Sequence, residues 1–322
     1  MQDFPHLSRI IAEAGRYAPL LTAVAMPTEP TALAGVVEAA QSGLVKPLLV
    51  GPSRRIRDAA GSIGIDAATF RIVDAADGLG AAAEAARLCL AGDVEALMKG
   101  ALHTHELMRA VLSGGLRTPR RASHVFVVDL PRFPRPLLVT DAAINIAPDV
   151  EEKLHIIQNA VDLAQAIGID VPRVAVLSAV ETVSPQVQSS VDAAKLRDIA
   201  RRGGVAGAIV DGPLALDLAL SEDAARIKGV DSPVAGRADI LVAPSLESAN
   251  FLYKAMIYLA QGEGAGIVLG ARVPIVLTSR AGSVRSRIAS CALALLYTRR
   301  VAAARIANEP AVHADLLAPP GA

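Results

Sequence analysis

The sequence predicts an α/β protein in which mainly parallel β-sheets are covered by helices. Short apolar runs alternate with helix-like segments along the chain, and Gly and Pro residues separate them. Hydrophobic residues make up 52% of the 322 residues, whereas aromatic residues make up 3% and Trp is absent. A core built from Ala, Val, Leu and Ile is typical of parallel strands that are buried on both faces.

Eleven apolar runs of strand length are predicted to form the sheets. In chain order they cover residues 21–26, 46–51, 70–74, 96–100, 124–130, 136–141, 173–179, 207–213, 238–244, 265–271 and 273–279. Helix-like segments separate most of these runs, so most neighbouring strands are expected to be parallel.

Seven segments between these runs have the pattern of helices. They cover residues 30–43, 78–92, 104–113, 149–168, 190–203, 246–261 and 283–307. The fourth has clear end signals, because Asp149 can open it, Glu151 and Glu152 suit its first turn, and Gly168 can close it in the left-handed conformation. The Pro- and Arg-rich stretch 129–136 is the best candidate for a passage between two domains.

Charge and cysteine content narrow the class of protein. Lys and Arg together number 32, as do Asp and Glu, so the formal net charge is zero. A neutral chain with few aromatic residues does not favour nucleic acid or a membrane surface as a partner. Cys89 and Cys291 lie in Ala- and Leu-rich helical stretches, where buried free thiols are expected. No signal peptide and no apolar run of membrane-spanning length is found, so a reducing cytoplasm is the expected location.

The end of the last predicted strand is the first candidate for chemistry, since ligands of open α/β sheets bind beyond the C-terminal strand ends. That strand ends in Thr278, Ser279 and Arg280, and Ala-Gly-Ser follows at the start of a helix. Hydroxyls, backbone N–H groups and a guanidinium together suit a phosphate or a developing oxyanion. The same residues fit a plain turn in which Ser283 caps the helix and Arg280 lies at the surface. The spacing alone leaves both interpretations open.

The loop 139–149 is a second candidate. It carries Asp141 and Asn145, which either line a site or bond their own backbone in a turn. The Gly-rich stretch 262–266 ends a helix and opens a strand, which is the wrong order for a phosphate cradle. No GxxxxGK[ST] motif occurs, and no GxGxxG motif follows the first strand, so these two kinds of nucleotide fold lose support.

The helix that begins near residue 104 carries histidines and cations. His103 and His105 are two residues apart, but no third ligand cluster accompanies them, so no metal site is predicted. Lys99 and Arg109 either bind phosphate groups or are solvated charges.

Several of these segments together resemble the phosphate acetyl/butyryl transferase family. The matching blocks are LMKG (97–100), LLVTDAAINIAPD (137–149), KLHIIQNAVDLAQAIGID (153–170), VDGPLALDLALSEDAA (210–225), SPVAGRADILVAPSLESANFLYK (232–254) and PIVLTSRAGS (274–283). The residues in these blocks most resemble those of butyryl-type members.

The resemblance implies an isocitrate/isopropylmalate dehydrogenase-like fold with two αβα domains and a cleft between them. Residues 1–136 plus 268–322 would form the first domain, and residues 137–267 the second. The implied activity is transfer of a short acyl group between coenzyme A and inorganic phosphate, with an acyl phosphate as the other reactant. Coenzyme A is then a substrate, no cofactor is permanently bound, and the protein is expected to be a homodimer or a larger homo-oligomer.

The family pattern also implies site residues. Ser279 and Arg280 match a catalytic pair in which the arginine binds the acyl phosphate and the serine stabilises the transition state. The implied substrate-binding residues are Thr104, Arg109, Asp141, Asn145, Asp211, Asn250 and Lys254.

The chain departs from the family pattern at the acid proposed to take the thiol proton. Acetyl-type members carry an aspartate at the position of Ser286, and butyryl-type members carry one at the position of Gly282. Both acids are missing here, which leaves the proton acceptor unidentified and keeps a non-catalytic coenzyme A-binding paralogue as the alternative. A decarboxylating dehydrogenase of the same fold is disfavoured, because the chain has no Asp-rich cluster for Mg²⁺.

Overall fold

Eleven strands and eleven α-helices form the described part of a computed structural model, which covers residues 3–277 and 282–308. The strands are β1 (Leu20–Ala25), β2 (Val45–Gly51), β3 (Arg71–Asp74), β4 (Ala96–Lys99), β5 (Ser123–Asp129), β6 (Leu137–Thr140), β7 (Arg173–Leu177), β8 (Ile209–Leu214), β9 (Ile240–Val242), β10 (Glu263–Leu269) and β11 (Ile275–Val276). The helices are α1 (Pro5–Ala14), α2 (Pro30–Gln41), α3 (Ser53–Ser62), α4 (Gly78–Ala91), α5 (Thr104–Ser113), α6 (Val150–Ala166), α7 (Gln188–Ile199), α8 (Leu216–Leu220), α9 (Glu222–Ile227), α10 (Leu246–Tyr258) and α11 (Val284–Asn308). Each predicted strand overlaps one observed strand.

The described strands belong to one sheet with the order β3-β2-β1-β4-β11-β10-β5-β6-β9-β7-β8. The neighbours from β3 to β11 are parallel, and so are the neighbours from β6 to β8. Between these two halves, β10 pairs antiparallel with β11 and β5, and β5 pairs antiparallel with β6. The mainly parallel arrangement is confirmed, and the antiparallel strands β5 and β10 join its two halves into one sheet.

Helices cover both faces of the sheet, because successive side chains of a strand point to opposite faces and both faces are apolar. In β1, Leu20 and Val24 belong to a core shared with α1, α2, α6 and α11, whereas Ala23 and Ala25 face α4 and α5. A third apolar cluster lies between β6, β9 and α10. Apart from the edge strand β3, the strands are therefore largely buried on both sides, which explains why their sequences are almost uniformly apolar.

Four helices were not predicted, namely α1, α3, α8 and α9. The helices α8 and α9 have 5 and 6 residues, which is too short for a recognisable apolar period. The helix α3 buries only Ile56, Ala59 and Ala60.

The helix α1 begins on a carboxylate that is distant in sequence. The backbone N–H groups of His6 and Leu7 donate to Asp129 Oδ2 at 2.8 and 3.0 Å, and Asp129 is 1% exposed. A carboxylate at a helix N-terminus accepts hydrogen bonds from the free N–H groups and interacts favourably with the positive end of the helix dipole. The last residue of β5 thus fixes the start of α1.

The helix α6 has the ends that the sequence predicts. Asp149 accepts from Glu152 N at 2.8 Å, and the Glu152 side chain accepts from Asp149 N at 3.1 Å, which forms a capping box. Gly168 has a φ of 93° and ends the helix in the left-handed conformation. Within the described residues, no helix combines the length and apolar character needed to cross a membrane.

Candidate active site

A cleft of about 530 Å³ opens at the centre of the sheet, beside β10. Strand β11 has two residues and pairs with β10 only at Ile267 and Val268, so no described strand lies beside residues 263–266 on that edge. The N-terminal part of α11 lies there instead, and with β4, α5, β5 and α10 it encloses the cleft.

Hydroxyl groups of α11 take the place of a neighbouring strand. Ser290 Oγ accepts from Gly266 N at 3.0 Å, and Ser286 Oγ donates to Gly264 O. The N–H of Gly266 and the carbonyl of Gly264 are therefore paired, as buried backbone requires. Ser286, which the resemblance matches to the acetyl-type aspartate, uses its hydroxyl to hold the strand.

Aromatic rings lie directly against two glycines in the floor of the cleft. A Cβ atom on Gly266 would lie 2.4 Å from His124 Cε1, and one on Gly264 would lie 2.7 Å from Tyr253 Oη. The ring centroids of His124 and Phe126 are 4.1 Å apart, and those of Phe126 and Tyr253 are 3.7 Å apart. Any side chain at either glycine would displace this stack, so the Gly-rich stretch shapes an apolar wall rather than a phosphate cradle.

The polar groups of this wall are neutral. Burial lowers the pKa of His124 to about 3, so its ring is uncharged at physiological pH. Its Nδ1 has no hydrogen-bond partner among the described residues. Burial, assisted by the charge of Glu263, raises the pKa of Tyr253 to about 12.

Charged and hydroxyl side chains line the rest of the cleft. Lys99 lies at the end of β4, Thr104 opens α5, and Lys254 projects from α10. Glu263 begins β10, and its Oε1 accepts from Ser283 Oγ at 2.8 Å. The cleft therefore has an aromatic side and a polar side, which suits a ligand with an apolar and an anionic part.

Two of the predicted site residues, Thr104 and Lys254, line this cleft. Ser279 and Arg280 lie outside the described residues. Leu277 and Gly282, the nearest described residues on either side of them, both line the cleft.

Asp141 and Asn145 form a buried turn instead of lining the cleft. Asp141 Oδ1 accepts from Ala143 N and Ile144 N at 3.0 and 3.1 Å, and its Oδ2 accepts from Asn145 N and Nδ2 at 3.0 and 2.6 Å. Burial raises the pKa of Asp141, although these hydrogen bonds oppose the shift. Of the two interpretations left open by the sequence, the geometry favours the turn.

Asn250, on α10, stabilises the same turn, since its Nδ2 donates to Ala142 O at 3.1 Å. Ala143 lines the cleft, so the turn forms part of its wall although its polar side chains point elsewhere. Asn145 lines a neighbouring cavity of about 560 Å³.

The structure does not bring Arg109 or Asp211 to the cleft. Arg109 is exposed on α5. Asp211 lies in β8, the strand at one edge of the sheet, with Gly212 N donating to its Oδ1 at 3.0 Å.

Metal and thiol chemistry find little support among the described residues. No group of three or more His, Cys, Asp and Glu side chains in the described ranges is arranged to hold a metal ion. Cys89 and Cys291 are free and buried, as predicted, and burial raises the pKa of each thiol to about 12.

The lining residues that sequence reasoning missed include His124, Phe126, Tyr253 and Glu263. The first two are alternate residues of one strand and hence share a face, which was a usable signal. Tyr253 and Glu263 meet them only through the pairing of β10 with β5 and the packing of α10, which the local sequence does not specify.

An α/β sheet interrupted by an antiparallel pair, with a cleft lined by cations, hydroxyls and an apolar wall, is suited to an enzyme that binds small anionic molecules. A family model described as phosphate acetyl/butaryl transferase matches residues 78–295. The chain belongs to this family.

Relatives extend the match over nearly the whole chain. It is 53% identical to a phosphate acetyltransferase of Rhizobium meliloti over 93% of this chain and 95% of the relative. It is 42% identical to a phosphate butyryltransferase of Clostridium beijerinckii over 86% of this chain and 93% of the relative. A crystal structure of a branched-chain phosphotransacylase from Enterococcus faecalis V583 superposes with a TM-score of 0.76 at 32% identity, covering 87% of this chain and 99% of that one. The predicted fold class is thereby confirmed.

Proposed function

We propose that this chain transfers a short acyl group between coenzyme A and inorganic phosphate, with an acyl phosphate as the other reactant. The observation that carries the proposal is the position of the cleft. Every described residue that lines it, from Lys99 to Ser290, lies within the segment 78–295 that matches the family.

In the direction of thioester synthesis, the sulfur of coenzyme A attacks the carbonyl carbon of the acyl phosphate. The bond from that carbon to the phosphate oxygen then breaks. Holding the two reactants in line in the cleft is worth up to about 7–11 kcal/mol. A donor aimed at the developing oxyanion adds about 3–4 kcal/mol.

Ser279 and Arg280 are assigned to the centre of this reaction. Support comes from Leu277 and Gly282, which line the cleft on both sides of the pair. Arg280 binds the phosphate group, because a guanidinium matches its geometry, and Ser279 donates to the oxyanion.

Three further residues complete the anion site. Lys99 and Lys254 supply positive charge, and Thr104 is the first residue of α5, whose N-terminus favours an anion. Arg109, exposed on the same helix, is our candidate for the phosphates of coenzyme A. Asp141, Asn145 and Asn250 shape the wall through the turn that they stabilise. Asp211 has no comparable support and is not assigned a role.

The acyl chain is assigned to the apolar side of the cleft. Phe126, Tyr253, Ile257 and Leu277 offer aromatic and aliphatic surface there, next to the neutral ring of His124. A wall of this kind discriminates chains that differ by methylene groups by about 1–3 kcal/mol each.

The assembly and setting form part of the proposal. Phe251, Tyr258 and Leu259 are 69%, 72% and 82% exposed at α10 and its C-terminal end, which supports a homodimer or larger homo-oligomer. Residues 1–136 plus 268–322 and residues 137–267 are proposed as the two domains. The chemistry needs no permanently bound cofactor, and the free thiols fit a cytoplasmic location.

A panel of acetyl-, propionyl- and butyryl-CoA, each incubated with phosphate, tests the activity by following release of the thiol. We expect phosphate-dependent release with at least one of them. Calorimetric binding of coenzyme A without turnover of any acyl-CoA would overturn the proposal and favour a non-catalytic binder.

A further inference from the structure

The proposed reaction requires a group that takes the proton of the coenzyme A thiol. The titratable side chains among the described residues that line the cleft are Lys99, His124, Tyr253, Lys254, Tyr258 and Glu263. The undescribed residues 278–281 are Thr, Ser, Arg and Ala, so they add neither a carboxylate nor an imidazole.

Most of these groups are poor proton acceptors. A lysine ammonium and a tyrosine hydroxyl act as hydrogen-bond donors at neutral pH. Burial lowers the pKa of His124 to about 3, so its imidazole is a weak base. Glu263 is the single carboxylate among the described lining residues.

Glu263 is held at the place where the acid is missing. Its Oε1 accepts from Ser283 Oγ at 2.8 Å, and Ser283 directly follows Gly282. Ser286 N donates to the same hydroxyl at 2.9 Å, so the first turn of α11 fixes the partner of the carboxylate. After burial, the charge of Glu263 is the next cause of the raised pKa of Tyr253, which agrees with a carboxylate facing the cleft.

We propose, on the basis of the function proposed above, that Glu263 is the general base of this enzyme. Its carboxylate takes the S–H proton of coenzyme A as the sulfur bonds to the carbonyl carbon of the acyl phosphate. The carbon–oxygen bond to phosphate breaks, and phosphate leaves with the electron pair. The proton then passes from Glu263 to the departing phosphate, so the carboxylate is restored and the products are acyl-CoA and inorganic phosphate.

Several charged or titratable groups surround Glu263 and belong to any account of its pH dependence. They are Asp129 opposite it on β5, Tyr253, Lys254 and Tyr258 on α10, and Lys99 on β4. The helix α11, which packs against β10, also carries Arg285 and Arg287. Asp129 Oδ2 accepts hydrogen bonds from two N–H groups of α1. Arg287 forms an ion pair with Glu38 at 2.9 Å. Lys99 and Lys254 share the cleft with the carboxylate.

Replacing the carboxylate by an amide tests the proposal. We expect Glu263→Gln to lower kcat at pH 7 on the order of 10²-fold, with the affinity for coenzyme A nearly unchanged. Glu263→Asp should recover part of the loss. The matched control is Glu247→Gln, since Glu247 is exposed in the first turn of α10 and does not line the cleft.

The pH profile separates a base from a structural carboxylate. Without a base, the rate follows the thiolate fraction, so the activity of Glu263→Gln should rise about tenfold per pH unit up to the thiol pKa near 8.5. The wild-type profile should be flatter. Ser283→Ala, which keeps the carboxylate, should retain most of the activity.

A wild-type enzyme that is active while Glu263→Gln matches it would overturn this inference alone. An equal, pH-independent loss in Glu263→Gln and Ser283→Ala would also overturn it, because it would assign Glu263 to holding α11. A wild-type protein that turns over no acyl-CoA would overturn the proposed function, and this inference with it.

Discussion

Gly264 and Gly266 set the shape of the cleft at the scale of single residues. Their missing side chains let His124, Phe126 and Tyr253 lie on the strand, with distances from a hypothetical Cβ as short as 2.4 Å. Ser286 and Ser290 then pair the exposed main chain of the same strand. The charged residues Lys99, Lys254 and Glu263 line the cleft around these two glycines.

Removal of the assigned catalytic pair should lower activity without unfolding the protein. Arg280→Ala and Ser279→Ala should each reduce kcat/KM by about 10²–10³-fold, because an oxyanion or phosphate contact is lost. Steady-state kinetics measures the loss, and thermal melting checks the fold. Arg132→Ala, in the loop after β5, serves as the control. Full activity in both variants would show that the reaction centre lies elsewhere.

Shortening the aromatic wall should change the preferred acyl chain. Phe126→Ala should raise the ratio of kcat/KM for butyryl-CoA to that for acetyl-CoA on the order of tenfold, since space for methylene groups is gained. The matched control is Phe70→Ala, because Phe70 lies at the distant β3 edge of the sheet. A ratio that stays constant while both activities fall would mean that Phe126 contacts the coenzyme A moiety common to both substrates.

At the scale of elements, helices and strands are joined by contacts between residues far apart in sequence. Asp129 at the end of β5 opens α1, and Lys153 of α6 pairs with Asp192 of α7 at 2.9 Å. Contacts of this kind explain why some structural features could not be predicted from the sequence. The strands could be predicted because burial on both faces makes them uniformly apolar, and α6 because it carries its own caps.

The start of α1 and the walls of the cleft could not be predicted, since each needs a partner from another element. The local sequence gives no sign that Asp129 caps a helix more than 120 residues earlier. For the same reason Tyr253 and Glu263 were overlooked. Ser279 and Arg280 were proposed from the family resemblance and lie outside the described residues. Asp141 and Asn145 show the converse, because a turn and a binding loop use the same residue types.

The cap on α1 should contribute measurably to stability. Asp129→Ala should lower the free energy of unfolding by about 1–2 kcal/mol, because two N–H groups of the first turn lose their acceptor. Urea denaturation measures the change. Asp77→Ala removes an exposed local cap of α4 and should cost less. Equal losses in the two variants would contradict the special weight given to the buried cap.

The pair between α6 and α7 should make stability sensitive to acid. Burial would raise the pKa of Asp192, but hydrogen bonds from Gln188 and Lys153 outweigh it and hold the pKa below its usual range. Since the folded-state pKa is lowered, the stabilisation is present above the unfolded value of about 4 and is lost as pH falls through the folded value.

Lys153→Met should reduce this acid-dependent part, although Gln188 still donates to Asp192, and should lower stability at pH 7 by about 1–3 kcal/mol, because a partly buried carboxylate loses its nearest cation. Denaturation at pH 7 and at pH 3 measures both effects. Lys228→Met, which breaks an exposed pair with Asp217, should cost at most about 1 kcal/mol. An unchanged pH dependence in Lys153→Met would refute the assignment.

At the scale of the whole molecule, two parallel half-sheets meet at an antiparallel pair, and the cleft lies where the short β11 leaves β10 uncovered. The position of the candidate site is thus a property of the topology. It lies between the halves, so residues from β4, α5, β5, α10 and α11 all reach it.

The exposed end of α10 should govern assembly. Replacing Phe251 and Tyr258 by Ser should convert the expected oligomer to a smaller species, because apolar area at the interface is lost. Light scattering after gel filtration measures the mass. Ile227→Ser, at an exposed position on α9, is the control. A wild-type protein that elutes as a monomer would contradict the predicted assembly.

The uncovered edge of β10 has a consequence for solubility. A strand with free N–H and C=O groups recruits strands of other molecules and starts aggregation. Ser286 and Ser290 already occupy the carbonyl of Gly264 and the N–H of Gly266, two of the groups that an incoming strand would use. The opening beside β10 is therefore less able to pair with the strand of another molecule than an uncovered edge would be.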